Sequence, residues 1–397
     1  MTVLGFNLLD IILVLVAIAY GVSGFRQGFL IGALGVVGLV GGGLVGVLLT
    51  PLILNRFEPS MTISLAALGI VVVVALVGQA ILSSIGAKLR SKVTWRLAHA
   101  IDSSAGSVLS VIALLVVAWI LGSAIASAQL GTLARVVRSS EILTAVDKVM
   151  PRVAEQGLLA FSRVVDPNLF PRYLEPFAAE SIAPAQPPDA GVLRDPEIRA
   201  AGDSVVRVLG VALRCSRSLE GSGFVYAKER VMTNAHVVAG VESPTIETRA
   251  GETYDAEVVL YNPERDIAVL EVPGLDLEEL RLDPNGSAGD QGAVMGYPGN
   301  DPFWAGPARI RAEQRLRGPD IYGEREVVRE VFSLYAQVRP GNSGGPLVTP
   351  EGNVSGVVFA ASVEDSNTGY ALTVDEVTPD AQAGARATDR VSTGDCS

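Results

Sequence analysis

Cysteine and histidine are nearly missing from this chain of 397 residues, with two of each. Cys215 and Cys396 are too far apart for a Cys-x-x-Cys redox or metal motif, and with His99 and His236 as the only imidazoles a structural zinc site lacks ligands. No metal or other cofactor is expected. Any imidazole-based acid–base chemistry in the C-terminal half has only His236 to use. Positive charge is also short. A formal net charge of −11 offers no basic face for phosphates, which excludes nucleic acid as a partner. Charged residues make up only 18% of the chain against 49% hydrophobic ones, a balance that calls for membrane segments.

Four long apolar runs supply them: Leu8 to Val22, Gly28 to Leu54, Ile63 to Ile85 and Ala105 to Ala126. Each can reach the roughly 20 residues that cross a bilayer as a helix. The first run lacks the basic start of a cleavable signal peptide. Arg26 lies between the first two spans, and Lys88, Arg90, Lys92 and Arg96 lie between the last two. The loop between the second and third spans offers Arg56 beside Glu58, and the N-terminal tail offers no basic residue. The positive-inside rule then puts both termini outside, so everything after the fourth span is extracytoplasmic, in an oxidising compartment. Gly38, Gly42 and Gly46 recur every four residues and share one helix face. That face permits close approach, either to another helix of the same chain or to a second copy. Asp10, near the outer end of the first span, reads as interfacial or as a functional carboxylate.

Residues 128–200 read as a connector. Leu133 to Leu169 has helical periodicity, with Ser140-Glu141 as a helix start, and the proline-rich stretch Ala183 to Asp189 marks a boundary. Beyond residue 201, short β-branched runs alternate with Gly, Pro and Asp turns, from Ser204–Leu213 to Tyr370–Val374. The expected architecture is an α-helical four-span domain (1–127), the connector (128–200) and an all-β domain (201–397) of two six-stranded barrels.

Three short motifs in that β region carry chemistry. Thr233-Asn234-Ala235-His236-Val237-Val238 supplies an imidazole, Asp266-Ile267-Ala268-Val269-Leu270 a carboxylate, and Gly341-Asn342-Ser343-Gly344-Gly345-Pro346 a hydroxyl. A serine hydroxyl is a weak nucleophile until a base takes its proton, and a carboxylate fixes the tautomer of that base. His236, Asp266 and Ser343 stand in the order His, Asp, Ser, which separates them from subtilisins and α/β-hydrolases. The backbone N–H groups of Gly341 and Ser343 can face a developing oxyanion. Gln337, Phe359, Ala360 and Ala361 are candidates for the substrate pocket. No Asp occurs from Tyr335 to Pro340, so an uncharged side chain is expected at the cleavage site.

These motifs resemble those of trypsin-fold serine proteases of the bacterial HtrA/DegP type. The four-span region resembles the colicin V production (CvpA) family. Together they are similar to the MarP-type membrane-anchored periplasmic serine proteases, over essentially the whole chain. The resemblance implies an extracytoplasmic endopeptidase acting on envelope proteins through an acyl-enzyme, associated with acid and oxidative stress tolerance. It also implies that Cys215 and Cys396 form the domain's disulfide. Position 342 departs from digestive trypsin-like enzymes: it is Asn where they have Asp, so activation by a buried ion pair with a new N-terminus is not expected. No PDZ-like region is expected after the barrels. The flexible tether at about 150–200 is a candidate for autocleavage. A rival reading makes the four spans a channel or scaffold and the β domain a non-catalytic peptide-binding module.

Overall fold

The four apolar runs form helices in the computed structural model, which describes residues 2–3, 6–54, 61–127, 132–150, 180–212, 214, 217–362 and 364–396. A two-residue ladder of β1 (Thr2–Val3) and β2 (Phe6–Asn7) precedes α1 (Leu8–Gln27), α2 (Phe29–Leu54), α3 (Met61–Arg90) and α4 (Arg96–Ser127). All four are long and apolar enough to span a bilayer. The chain divides into two units, residues 1–122 with 140–149, and residues 123–139 with 150–397.

In the first unit, α2 packs on α3 through the glycine face. A Cβ on Gly42 would lie 2.6 Å from the Val74 carbonyl oxygen, and one on Gly46 would lie 2.8 Å from the Val71 Cα. Gly38 faces Gly78 backbone to backbone. The close approach that these glycines permit is therefore made inside the chain, the first of the two expected uses of this face, and α3 covers it.

Gly28 alone separates α1 from α2, at φ 80°. So short a joint leaves helix-end carbonyls and N–H groups without intrahelical partners. Arg90 donates to the carbonyls of Arg26 and Gln27 at the end of α1. Asp102 accepts from the Leu30 N–H at the start of α2 (2.9 Å), and the two side chains form an ion pair at 2.8 Å. Cation at the C-terminus and anion at the N-terminus also match the helix dipoles. Asp10 accepts from the Ser140 hydroxyl and from the Glu141 N–H (3.0 Å). It thus caps α6 (Glu141–Asp147), while the Trp119 indole N–H donates to Asp147 at the other end (2.6 Å). Ser140 is the N-cap of α6, as its place in the sequence suggested; the continuation of that periodicity to Leu169 lies outside the described residues.

The second unit holds α5 (Thr132–Arg138) and two antiparallel sheets. The first comprises β3 (Val205–Ala212), β4 (Arg217–Ala227), β5 (Arg230–Thr233), β6 (Thr245–Glu247), β7 (Thr253–Asp255), β8 (Glu257–Asn262) and β9 (Ile267–Glu271), in the order β7-β6-β3-β4-β5-β9-β8. Its two edges, β7 and β8, are consecutive in the chain with only Ala256 between them. The sheet must therefore curl until its edges meet. Counted as one strand bent at Ala256, they restore the expected six. The second sheet is a closed barrel, β10 (Gln291–Gly296), β11 (Trp304–Pro319), β12 (Glu326–Tyr335), β15 (Thr368–Thr373), β14 (Val354–Ala361) and β13 (Pro346–Val348).

Alternating side chains fill the three main cores among the described residues. Val208, Val231, Ile246 and Leu270 pack inside the first sheet, and Ile310, Phe332, Leu334 and Val358 inside the barrel. The largest cluster lies between them, with Phe224, Met232 and Ile267 meeting Met295, Phe359 and Leu372. The helix Val374–Gly384, capped by the Thr373 hydroxyl, adds Val377 and Ala381 to it.

Candidate active site

His236 sits on a single 3-10 turn, Ala235–Val237, that follows β5. Asp266 precedes β9. Because β5 and β9 are paired with Thr233 opposite Ala268, the end of one strand lies beside the start of the other, and residues far apart in sequence become neighbours. The Asp266 carboxylate, fully buried, accepts from the backbone N–H of His236 (2.9 Å) and lies 2.8 Å from its Nδ1. Asp266 adopts φ 65°, one of only two non-glycine residues with positive φ among the described residues. That conformation costs of order 1–3 kcal/mol and persists only where its surroundings fix it. Asn234 is the fixing group: its Nδ2 donates to the Asp266 carbonyl (2.7 Å), and it is itself fully buried.

Ser343 is buried in the turn that leads into β13. A methyl on Gly344 would collide with the Thr233 hydroxyl and come within 3.0 Å of the Asn234 nitrogen. The Ser343 turn therefore rests against the strand end that carries His236. The peptide planes around Gly341 are tied. The Pro340 carbonyl accepts from the Gly299 N–H (2.9 Å), and a planar trans peptide then directs the Gly341 N–H the opposite way. The Gly341 carbonyl accepts from the Ser222 hydroxyl (2.6 Å), and the Asn342 N–H donates to the Arg339 carbonyl (3.0 Å). Gly341 has φ 96°, and a Cβ there would meet the Pro298–Gly299 backbone, so the position needs glycine. The Ser343 carbonyl accepts from the Ser222 N–H (2.8 Å).

The remaining expected site residues fall in different surroundings. Gln337 is exposed, and Ala361 is half-buried at the end of β14. Ala360 is buried, and the Phe359 ring is fully buried in the cluster between the two sheets. Phe359 can therefore contribute backbone, not its ring, to a cleft. Cys396 packs against the first sheet's core beside Gly240, while Cys215 lies outside the described residues. Asn342 is fully buried, and neither polar atom of its side chain has a hydrogen-bond partner among the described residues. Sequence reasoning missed Asn234 and Ser222. The glycines flanking Ser222 signalled close backbone packing there, and Asn234 stands two residues before the imidazole.

Two family models match. The trypsin-like peptidase domain matches residues 221–357. The colicin V production protein family matches residues 9–151. Serine protease Rv3671c of Mycobacterium tuberculosis is 37% identical over 394 residues, covering 98% of each chain. A probable periplasmic serine endoprotease DegP-like of Halomonas elongata is 31% identical over 165 residues, 40% of this chain and 33% of that protein. The crystal structure of the Rv3671c protease from M. tuberculosis in its active form superposes with a TM-score of 0.53 at 44% identity, covering 56% of this chain and 98% of that one.

Proposed function

Since this chain belongs to the family of Rv3671c-like serine proteases, in which a colicin V production region precedes a trypsin-like peptidase domain, we propose that His236, Asp266 and Ser343 are its catalytic residues. The observation that carries the reading is the buried carboxylate held against both the backbone N–H and Nδ1 of His236. With Nδ1–H donating to Asp266, Nε2 keeps its lone pair and can take the Ser343 proton. The freed oxygen attacks the substrate carbonyl carbon. The Gly341 and Ser343 N–H groups meet the oxyanion, and each such donor contributes about 2.7–4 kcal/mol to the lowering of the barrier. The imidazolium then protonates the leaving amine, the C–N bond breaks and an acyl-enzyme remains. Water, deprotonated by the same imidazole, releases the acid and restores the serine. Asp266 stays ionised throughout and stabilises the imidazolium.

The four apolar helices and the colicin V production region make this a multi-pass membrane protein. We place its catalytic unit on the extracytoplasmic side, on the strength of the loop charges, with envelope proteins as substrates, an uncharged side chain at the cleavage site and a role in acid and oxidative stress tolerance. A Cys215–Cys396 disulfide would close a loop that includes every strand of the two sheets after β3, and chain entropy would then contribute on the order of 5 kcal/mol. Autocleavage in the tether belongs to the same reading. As the chain is a serine protease, the rival in which the β domain only binds peptides gives way.

The test is labelling of the full chain in detergent with a fluorophosphonate probe, read beside peptide turnover. Wild type is expected to label and to cleave. Ser343→Ala should do neither, and turnover by Ser343→Ala at the wild-type rate would refute the assignment.

A further inference from the structure

Ser222 lies fully buried on β4, paired across the sheet with Arg207. It makes four hydrogen bonds beyond that pairing, and each ends on the site just described. Its N–H donates to the Ser343 carbonyl (2.8 Å). Its hydroxyl donates to the Gly341 carbonyl (2.6 Å) and accepts from the Tyr297 N–H (2.9 Å). Its carbonyl accepts from the Thr233 hydroxyl (2.7 Å). One residue of the first sheet thereby holds the nucleophile turn, the oxyanion turn, the segment after β10 and the strand end leading to His236. The space around it is cut to size. A Cβ on Gly344 would strike the Ser222 carbonyl, and one on Gly296 would strike its hydroxyl.

Gly341 needs such a hold. A glycine turns freely about both backbone bonds, so a productive N–H direction must be imposed from outside. Gly299 fixes the peptide before Gly341, and Ser222 with Arg339 fixes the peptide after it. The hydroxyl has one proton to give, and it gives it to Gly341. Strand pairing requires only the backbone of residue 222, so the hydroxyl is surplus to the sheet.

We infer that Ser222 is a positioning residue of this protease, its hydroxyl fixing the Gly341–Asn342 peptide that joins the two oxyanion donors, the N–H groups of Gly341 and Ser343. The inference rests on the reading of Gly341 and Ser343 as oxyanion donors. Ser222→Ala removes one oxygen and adds no bulk. Misplacing an oxyanion donor acts on the transition state, so kcat should fall about 100-fold with KM within about twofold of wild type.

Turnover is read per fluorophosphonate-titratable site in the full chain in detergent, which corrects for any misfolded fraction. Two further readouts separate positioning from a merely structural role. A peptide boronate, which forms a tetrahedral adduct, should bind Ser222→Ala weaker by the same factor as kcat. The uncleaved peptide should bind Ser343→Ala and the Ser222→Ala/Ser343→Ala double variant equally. Unchanged kcat and boronate affinity in Ser222→Ala, or a loss confined to KM, would overturn the inference. If Ser222→Ala leaves no titratable site, Ser222→Cys, with a weaker donor in the same place, decides. A lowered kcat at unchanged KM supports the inference and a wild-type kcat overturns it. Should Ser343→Ala itself cleave peptide, the underlying reading fails; a dead Ser343→Ala beside a fully active Ser222→Ala sinks only the inference.

Discussion

Asn342 is the residue whose chemistry is most exposed to a small change. Its amide is fully buried with no described partner, next to Ser343. A neutral amide tolerates this at a cost of about 1–3 kcal/mol, whereas an ionised carboxylate without a cation costs far more. Asn342→Asp should therefore lower the melting temperature, and lower it further as pH rises through the carboxyl range toward neutrality, because the charged form is the one the site rejects. Thermal denaturation of Ser343→Ala and of the Asn342→Asp/Ser343→Ala pair at pH 4 and pH 7.5 checks this; equal losses at the two pH values would contradict it. Asp266 shows the residue-scale limit of reading from sequence. Its identity and order among the motifs pointed to it, but the left-handed backbone that aims its carboxylate at His236 depends on Asn234, a partner that no spacing rule marks.

Among the elements, the α2–α3 pair offers a controlled comparison. Gly41 and Gly42 are adjacent, yet a Cβ on Gly41 meets nothing within 4 Å while one on Gly42 comes within 2.6 Å of the Val74 carbonyl oxygen. Backbone atoms cannot swing aside as a side chain can. Gly42→Ala should separate the two helices and reduce stability, whereas Gly41→Ala should be neutral or gain the roughly 1 kcal/mol by which alanine exceeds glycine in a helix. Thermal aggregation of the two variants in detergent, each in a Ser343→Ala background, should show a lowered onset for Gly42→Ala and no lowering for Gly41→Ala.

Element prediction from sequence succeeded where hydrophobicity was continuous. The fourth span was expected at Ala105 to Ala126 and the helix runs Arg96–Ser127; β13 and β14 begin and end where their apolar runs do. It failed at β11, sixteen residues long, because Arg309, Arg311, Arg315 and Arg317 alternate with inward residues and leave no apolar run. The short β6 and β7 hold too few residues to carry a period, and Pro379 hid the last helix. The joint between α1 and α2 shrank to Gly28 because Arg90 and Asp102 satisfy its end groups, and hydropathy is blind to such partners.

For the molecule as a whole, three phenols, Tyr370 buried and Tyr226 and Tyr261 half-buried, set an alkaline limit. Burial raises Tyr226 and Tyr261 above the ordinary tyrosine range, aided at Tyr261 by its hydrogen bond with Tyr322. Burial raises Tyr370 too, followed by the charge of Glu180, whose carboxylate accepts its hydroxyl at 3.0 Å. The folded state keeps these protons where an unfolded chain loses them, from about pH 10 upward. Their contribution is thus complete below about pH 10 and is lost as pH climbs beyond it, since the unfolded state then binds fewer protons. Denaturant midpoints between pH 8 and 11.5 should be level at first and then fall, with tyrosinate absorbance near 295 nm appearing together with unfolding. A gradual rise in that absorbance in the still-folded protein would argue against it. The general plan, spans followed by two β layers, was legible from hydropathy and turn residues. The three-part core was not, since it arises from strand register.

Ala256 has a consequence for how this domain fails. As long as the chain is whole there, the two borders of the first sheet, β7 and β8, are covalently joined and cannot part. A single nick at that seam would loosen two edge strands at once, each held on one side only, β7 by β6 and β8 by β9. Damage at this bend would therefore turn the borders of the first sheet into a template for aggregation.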